Sequence, residues 1–497
     1  MSEKAKIDPS LEKKLKTKIP QPVKSVLEEL KQNNFESYLV GGCVRDLLLD
    51  RSPKDWDIAT SAQPAEVLKI FPDAFYENRF GTVGVKTGAE AENLKVIEVT
   101  TFRIEKNYED FRRPNEVKFS LNLEDDLKRR DFTINALALN EKFRLIDLFN
   151  GLTDLENKSI RAIGQAEERL REDALRLIRA IRFATELDFE IEPKTFAAIK
   201  KLANLIQYIA KERVKDELNR IINSTAAGAG LELLRQSGLL LELIPELVRA
   251  KDIRQNKHHR YDIYDHLLHS LDYAAKKNYS LEIKLAALFH DIGKPLTKAG
   301  EYPNATFYNH EIVGAKMTRQ ILERLRFSKA VVAKTAHLVR YHMFYLEIEK
   351  VTMSAVRRFA LNVGEENLED LFRLREADRI GSGVAKAVPY RLRYLKFLIG
   401  KAKLKPILPT LLEIKGDEIM ARLKIEPGPK VGWILKILLK EVLNQPGRNK
   451  NSYLAKRVEA LGQLSDSDLK SKANEADEFK KQIEVVKEEK VKKEFRV

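Results

Sequence analysis

Residues 38–60, "YLVGGCVRDLLLDRSPKDWDIAT", limit the folds open to this chain more than any other stretch, because two aspartates flank one tryptophan behind a glycine turn. "SYLV" reads as a short apolar strand, Gly41 and Gly42 as a tight turn, and "CVRDLLL" as one or two turns of helix. "DWDIAT" returns as a strand, and a period of two puts Asp55 and Asp57 on one face and Trp56 on the other. Like charges repel, so the pair calls for something positive between them. Capping of a turn after Pro53 is the plainer alternative, and the glycine turn in front weighs against it.

A third carboxylate, Glu98, lies in the apolar strand "LKVIEVTTF". If these strands pair, three acidic side chains converge at one sheet edge, where they raise one another's pKa or recruit divalent cations. Oxygen donors are hard ligands and favour magnesium over zinc. Backbone N–H groups at the glycine turn suit phosphate oxygens.

With 497 residues the chain has room for several domains, and 43% hydrophobic with 33% charged residues reads as soluble and helix-rich. One cysteine, Cys43, excludes a disulfide framework and fits a reducing cytoplasm. The first twenty residues hold no apolar segment of a secretory leader, and no stretch is long enough to span a bilayer. The net charge of +15 favours a polyanionic partner, nucleic acid first, although lysine enrichment for solubility gives the same balance.

The stretches "GGCVRDLLL" and "KDWDIAT" resemble the first motif of the bacterial class II tRNA nucleotidyltransferases, the CCA-adding enzymes. Bacterial poly(A) polymerases are near relatives, and both belong to the polymerase-β-like superfamily. The resemblance runs in order from residue 22 to residue 460. It implies an α+β chain: a polymerase-β-like head (small mixed sheet with helices), then an all-α neck, HD domain, body and tail. The implied boundaries are a charged extension at 1–21, head at 22–155, neck at 156–250, HD domain at 251–380, body and tail at 381–463, and a second charged extension at 464–497. Asp55 and Asp57 would hold two magnesium ions and Glu98 would complete the site. Such ions activate an RNA 3′-hydroxyl and stabilise departing pyrophosphate.

The resemblance places further residues. "RRDFTINALALN" (129–140) resembles the second motif, so Arg129 and Arg130 suit triphosphate oxygens and Asp131 a ribose 2′-hydroxyl, with Gly41, Gly42, Arg45 and Asn135 beside them. Asp131 could equally cap a helix formed by "FTINALAL". "RIEKNYEDFRRPNEVKFS" reads as a mobile loop and resembles the one that CC-adding enzymes have shortened.

In "REDALRLIRAIRFATEL" (171–187), Asp173 and Arg176 stand three apart as neighbours on a helix, an ordinary surface pair but for their match to the nucleotide-selecting motif. Arg179 and Arg182 follow on the same helix. A carboxylate only accepts and a guanidinium only donates, so one pair suits both cytosine and adenine and repels uracil and guanine. "DLFNGLTDLENKSIRAIG" (147–164) resembles the hinge, with Leu148 and Asn150 where proline and glycine are usual. Glu212, Arg213 and Glu217 of "ERVKDELNRII" read as structural support.

All eight histidines fall between residues 258 and 342. His266, His290, Asp291 and, further on, Asp378 resemble the metal ligands of HD phosphohydrolases, with His310 and His342 as added ligands or substrate contacts. Imidazole ligands favour a transition metal. A degenerate HD copy serving as scaffold is the alternative, and His258, His259, His269 and His337 read as bystanders.

The expected activity is addition of CCA to tRNA 3′ ends from CTP and ATP without a nucleic-acid template, the basic helical tail gripping the acceptor and T arms. Poly(A) synthesis, A addition alone, an HD phosphohydrolase acting on RNA ends and a non-catalytic RNA-binding protein stay as alternatives. No membrane is expected as a partner, and no protein partner is legible.

Overall fold

A computed structural model of the chain describes residues 9–78, 81–109, 113–255, 260–344, 351–403 and 408–495. Packing divides the chain into two units: Met1–Met343 with Arg373–Ala387, and Phe344–Phe372 with Val388–Val497. The HD segment expected at 251–380 is therefore interrupted, because Phe344–Phe372 packs with the tail.

After helices Pro9–Lys18 and Gln21–Gln32, the described residues of the head form nine strands: β1 (Ser37–Val40), β2 (Asp57–Thr60), β3 (Phe75–Asn78), β4 (Thr82–Lys86), β5 (Val96–Thr101), β6 (Arg103–Glu109), β7 (Arg113–Phe119), β8 (Leu137–Leu139) and β9 (Leu145–Asp147). Seven form one mixed sheet in the order β3-β4-β5-β2-β1-β8-β9. β2 pairs parallel with β5 and antiparallel with β1. Ile58 and Ala59 of this central strand are both fully buried, so β2 is covered on both faces. Val40, Ala59, Phe102, Leu127, Ala138 and Ile163 build one of the head's apolar clusters.

Three expectations for the head need correction. "FTINALAL" is not a helix: Thr133–Asn135 make one 3₁₀ turn and Leu137–Leu139 become β8, bonded to β1 and β9. A short apolar run has no periodicity to separate buried strand from helix, and sheet pairing decides. Residues 103–119, expected as a loop, form the antiparallel ladder β6–β7, with 110–112 outside the described residues. The N-terminal extension also joins the fold, since Leu15 and Ile19 are buried and Lys14 reaches Asp50 at 3.2 Å.

At the hinge, Asp147 accepts N–H bonds from Phe149, Gly151 and Leu152 at 3.2, 2.8 and 2.9 Å. Asn150 takes the left-handed conformation (φ 59°) that a glycine would otherwise supply. Helices Leu175–Leu187 and Lys211–Asn223 then pack together as the neck. Beyond it, helices Ile263–Lys276, Leu281–Phe289, His310–Arg324, Lys329–Tyr341 and Leu368–Gly381 carry the histidine cluster.

The second unit has its own core, in which Ile434 and Leu438 of helix Pro429–Asn444 meet Leu454 and Val458 of helix Asn451–Gly462. The C-terminal extension is a continuous helix, Asp466–Phe495, packed on Pro429–Asn444 and Tyr390–Lys403. Its buried stripe is Leu469, Ala473 and Ala476, spaced four and three apart but too small to stand out among the charges.

Candidate functional site

Gly41 has φ +79°, and a Cβ there would come within 2.7 Å of Arg130 Nη1 and 3.5 Å of Asp57 Oδ2. The turn needs glycine for both its backbone angle and its closeness to those two groups. Asp57 opens β2, and its register partner on β5 is Glu98. Paired residues on neighbouring strands share a face, so the third carboxylate stands beside the second as the sequence implied. Trp56 points into the core, 2% exposed.

A cleft of about 740 Å³ gathers the rest: Gly41, Gly42, Arg45, Asp55, Asp57, Arg130, Asp131, Asn135, Asp173, Arg176, Arg179 and Arg182 all line it. Glu98 is not among the cleft-lining residues; its link to the site is its register pairing with Asp57. Arg103, Arg129, Arg213 and Arg220 add to the positive wall, which suits a polyanion. Cys43 behind the turn is fully buried, and burial together with Asp57 pushes its thiol up to about 12, so it stays an inert thiol.

The arginines are held in place by carboxylates. Arg45 Nη1 donates to Asn135 Oδ1 at 2.7 Å, and Asn135 Nδ2 donates to Asp131 Oδ1 at 3.0 Å. Asp131 Oδ1 also accepts from the Phe132 N–H at 2.8 Å, and Oδ2 accepts from Arg179 Nε and Nη2 at 2.9 and 2.6 Å. Burial opposes the Asp131 charge, but Arg179 and the Asn135 amide outweigh it and hold the carboxyl well below the usual range. Arg182 is 2% exposed, ion-paired to Glu217 at 3.0 Å and stacked 3.9 Å over the Phe183 ring. Burial, reinforced by Arg179, brings its pKa down to about 10.

Asp173 and Arg176 are brought together differently from the sequence expectation. Helix Ala166–Glu172 stops, Asp173 is extended (φ −135°, ψ 104°), and a second helix starts at Leu175. A side chain that caps the following turn competes with a continuous helix, and Asp173 Oδ1 does this by accepting the Leu175 N–H at 3.0 Å. Its Oδ2 accepts from Arg213 Nη2 at 3.3 Å. Arg176 Nη1 donates to Glu172 Oε2 at 2.6 Å and to the Arg169 carbonyl at 2.8 Å, while Nη2 donates to the Arg129 carbonyl at 3.0 Å. The two form no salt bridge with each other; each is aimed into the cleft by other groups. The sequence does not single out Glu172, although it adjoins Asp173; Arg213, expected as structural support, bonds Asp173 and also lines the cleft.

The histidine cluster lies elsewhere in the first unit. His290, His310 and His342 each present Nδ1 to a backbone carbonyl, of Ala287 (2.9 Å), Phe307 (2.6 Å) and Val339 (2.7 Å). A carbonyl only accepts, so Nδ1 carries the N–H and Nε2 is the atom turned toward the cluster; at His290 burial is outweighed by Asp291 and Asp378, which push its pKa up to about 10. The Nε2 atoms turn inward: those of His266 and His290 are 2.9 Å apart, and those of His310 and His342 3.4 Å. Asp291 Oδ2 stands 3.3 Å from His266 and 3.4 Å from His290, while Oδ1 is 3.2 Å from His310 and 3.6 Å from His342. Two ligand sets result, His266–His290–Asp378 and Asp291–His310–His342. Inward Nε2 atoms with intervening carboxylates make a donor set that fits divalent metal.

Gly293 makes this crossing possible, because a Cβ there would lie 2.3 Å from the His310 carbonyl oxygen. Lys294, not singled out in the sequence, bonds Asp291 Oδ2 and Gln255 Oε1, each at 2.6 Å. His269 and His337 stay outside, packed on Tyr261 and Tyr341. His258 and His259 lie outside the described residues.

Three family models match: the Poly A polymerase head domain at residues 37–161, the "Probable RNA and SrmB- binding site of polymerase A" at 188–251, and the HD domain at 263–382. A CCA-adding enzyme of Lactococcus lactis subsp. lactis (strain IL1403) is 34% identical over 442 residues, covering 88% of this chain and 96% of that one. One of Streptococcus sanguinis (strain SK36) is 49% identical over 224 residues, 45% of this chain. Against that relative, as against several similar ones, the match spans about half of the relative's length (54%). The crystal structure of the Bacillus stearothermophilus CCA-adding enzyme in complex with CTP superposes with TM-score 0.58 at 28% identity, covering 89% of this chain and 98% of that one.

Proposed function

The chain belongs to the CCA-adding enzyme family, and from that premise we propose that it extends tRNA 3′ ends with CCA from CTP and ATP, without a nucleic-acid template. One observation carries the reading: the carboxylates Asp55 and Asp57, with Glu98 in register, share a cleft with the pair Asp173 and Arg176.

Divalent metal is implied for both the head and the HD domain. In the head, Asp55, Asp57 and Glu98 would hold magnesium, which when bound activates the RNA 3′-hydroxyl and neutralises the departing pyrophosphate. The protein's own groups orient the nucleotide. Arg129, Arg130 and the Gly41–Gly42 backbone receive the triphosphate. Asp173 accepts the exocyclic amine of cytosine or adenine, and Arg176, with three of its five N–H groups spent on protein, offers the others to N3 or N1. Uracil and guanine present an N–H there and are repelled. Asp131 has four donors already, so a ribose 2′-hydroxyl would enter by displacing one Arg179 bond; Asp131 and Arg179 thus act together on the ribose.

Among the described residues no helix is long and apolar enough to cross a membrane. The reading places the protein in the cytoplasm, gripping the acceptor and T arms of tRNA through its basic helical tail. Incubation of tRNA lacking CCA with CTP, ATP or both tests it: C addition with CTP alone and full CCA with both are expected.

The inward Nε2 atoms and the two clustered ligand sets favour a second reading for the HD domain: a transition-metal centre acting on phosphates at RNA ends. The purified protein should retain nickel, cobalt, manganese or zinc, and His290→Ala should lose it while CCA addition persists. Absence of such metal after incubation with each would leave the domain a scaffold.

A further inference from the structure

Asp126 lies on the short helix Leu123–Lys128 and has no exposed surface. A buried carboxylate needs partners that outweigh the loss of water. It has two, both arginines of the cleft wall. Oδ1 accepts from Arg129 Nε at 2.9 Å and Nη2 at 2.7 Å, and Oδ2 accepts from Arg130 Nη2 at 3.1 Å. Burial opposes its charge, and Arg129 and Arg130 override that to keep the carboxyl below its ordinary pKa. Without a negative group between them, two guanidiniums on adjacent residues would swing apart. Arg130 has little freedom on its far side, because its Nη1 abuts the Gly41 turn and stands 3.5 Å from the Asn135 carbonyl. The Arg129 carbonyl in turn accepts from Arg176, so the placement of this segment reaches the base-reading side of the cleft.

We propose that Asp126 is a positioning residue that holds Arg129 and Arg130 side by side as a fork for the nucleotide triphosphate. The proposal rests on the reading that these arginines receive the triphosphate. Asp126 touches no substrate; it acts through the two guanidiniums.

Inorganic tripolyphosphate, which has no base or ribose, is the probe. In Asp126→Asn the amide turns a donor toward one of the guanidiniums, so only one arginine keeps its acceptor. Inhibition by tripolyphosphate should weaken at least tenfold and KM for both CTP and ATP should rise by a similar factor. The fall in kcat should be smaller, and tRNA affinity should stay within twofold. A general loss of structure would lower kcat and tRNA binding as well. Tripolyphosphate inhibition and KM equal to the parent's would overturn the proposal. If Asp126→Asn does not fold, Asp126→Glu carries the test: it keeps the charge but shifts the oxygens, and an unchanged inhibition constant would overturn it. Arg130→Ala separates the two levels. If it leaves tripolyphosphate inhibition intact, the triphosphate reading falls and this proposal with it; if it weakens inhibition while Asp126→Asn does not, only the proposal falls.

Discussion

At the scale of single residues, the proposed chemistry rests on carboxylates that repel each other and arginines that repel each other, which line one cleft. Asp55→Ala or Asp57→Ala should therefore cut nucleotide transfer by at least about a thousandfold, since each removes a ligand for the ions that activate the hydroxyl. Filter binding of tRNA should change less than about threefold, because that affinity is spread over a basic surface. Near-normal turnover in either variant would defeat the metal assignment. Asp173→Ala and Arg176→Ala should raise the use of UTP or GTP relative to CTP by about tenfold or more, read as kcat/KM ratios. Asp57 and most of the cleft residues are legible from the motifs and the glycine turn, whereas Asp55 sits in a bend before β2, which starts at Asp57, so strand alternation does not place it. What was not legible were the partners that fix them. Glu172, Asp126 and Lys294 look like any charged helix residue until the fold sets an arginine or a carboxylate against them. Asp131 was legible as an acceptor, but not that its acceptor sites are already filled.

At the scale of elements, the sequence misjudged segments whose form depends on distant pairing. The apolar run of β8 is too short to tell strand from helix, and the polar residues of β6–β7 point to a loop; both are strands only because another strand stands alongside. The break at Asp173 was hidden for the opposite reason, since helical spacing continues across it in sequence. Replacement of residues 105–117 by a short Gly-Ser turn tests the role of the hairpin. By the resemblance to enzymes with a shortened loop, C addition should persist and addition of the terminal A should be lost, seen as products ending in CC on a sequencing gel. Unchanged CCA addition would remove the hairpin from nucleotide selection. In the HD region, Gly293→Ala should push helix His310–Arg324 away and abolish metal retention while leaving CCA addition intact. Metal content equal to the parent's would show that the crossing tolerates a methyl group. In the tail, Leu469→Ala should destabilise the second unit by about 2–4 kcal/mol, measured by denaturant unfolding, since its side chain is fully buried.

At the scale of the whole molecule, a net charge of +15 and a cleft walled by arginine suit a polyanionic substrate. The matched head domain, RNA-binding segment and HD domain follow one another in the order the motifs imply. That Phe344–Phe372 leaves the HD segment to join the tail was not legible, because no motif marks where a unit's packing ends. On the proposed reading, protein side chains alone choose C and A, and addition then stops. The direct measurement is to incubate tRNA lacking CCA with all four nucleoside triphosphates together and sequence the resulting 3′ ends. Ends of CCA that grow no further with time are expected; open-ended A tails, or U and G incorporated at rates like those of C and A, would contradict the claim.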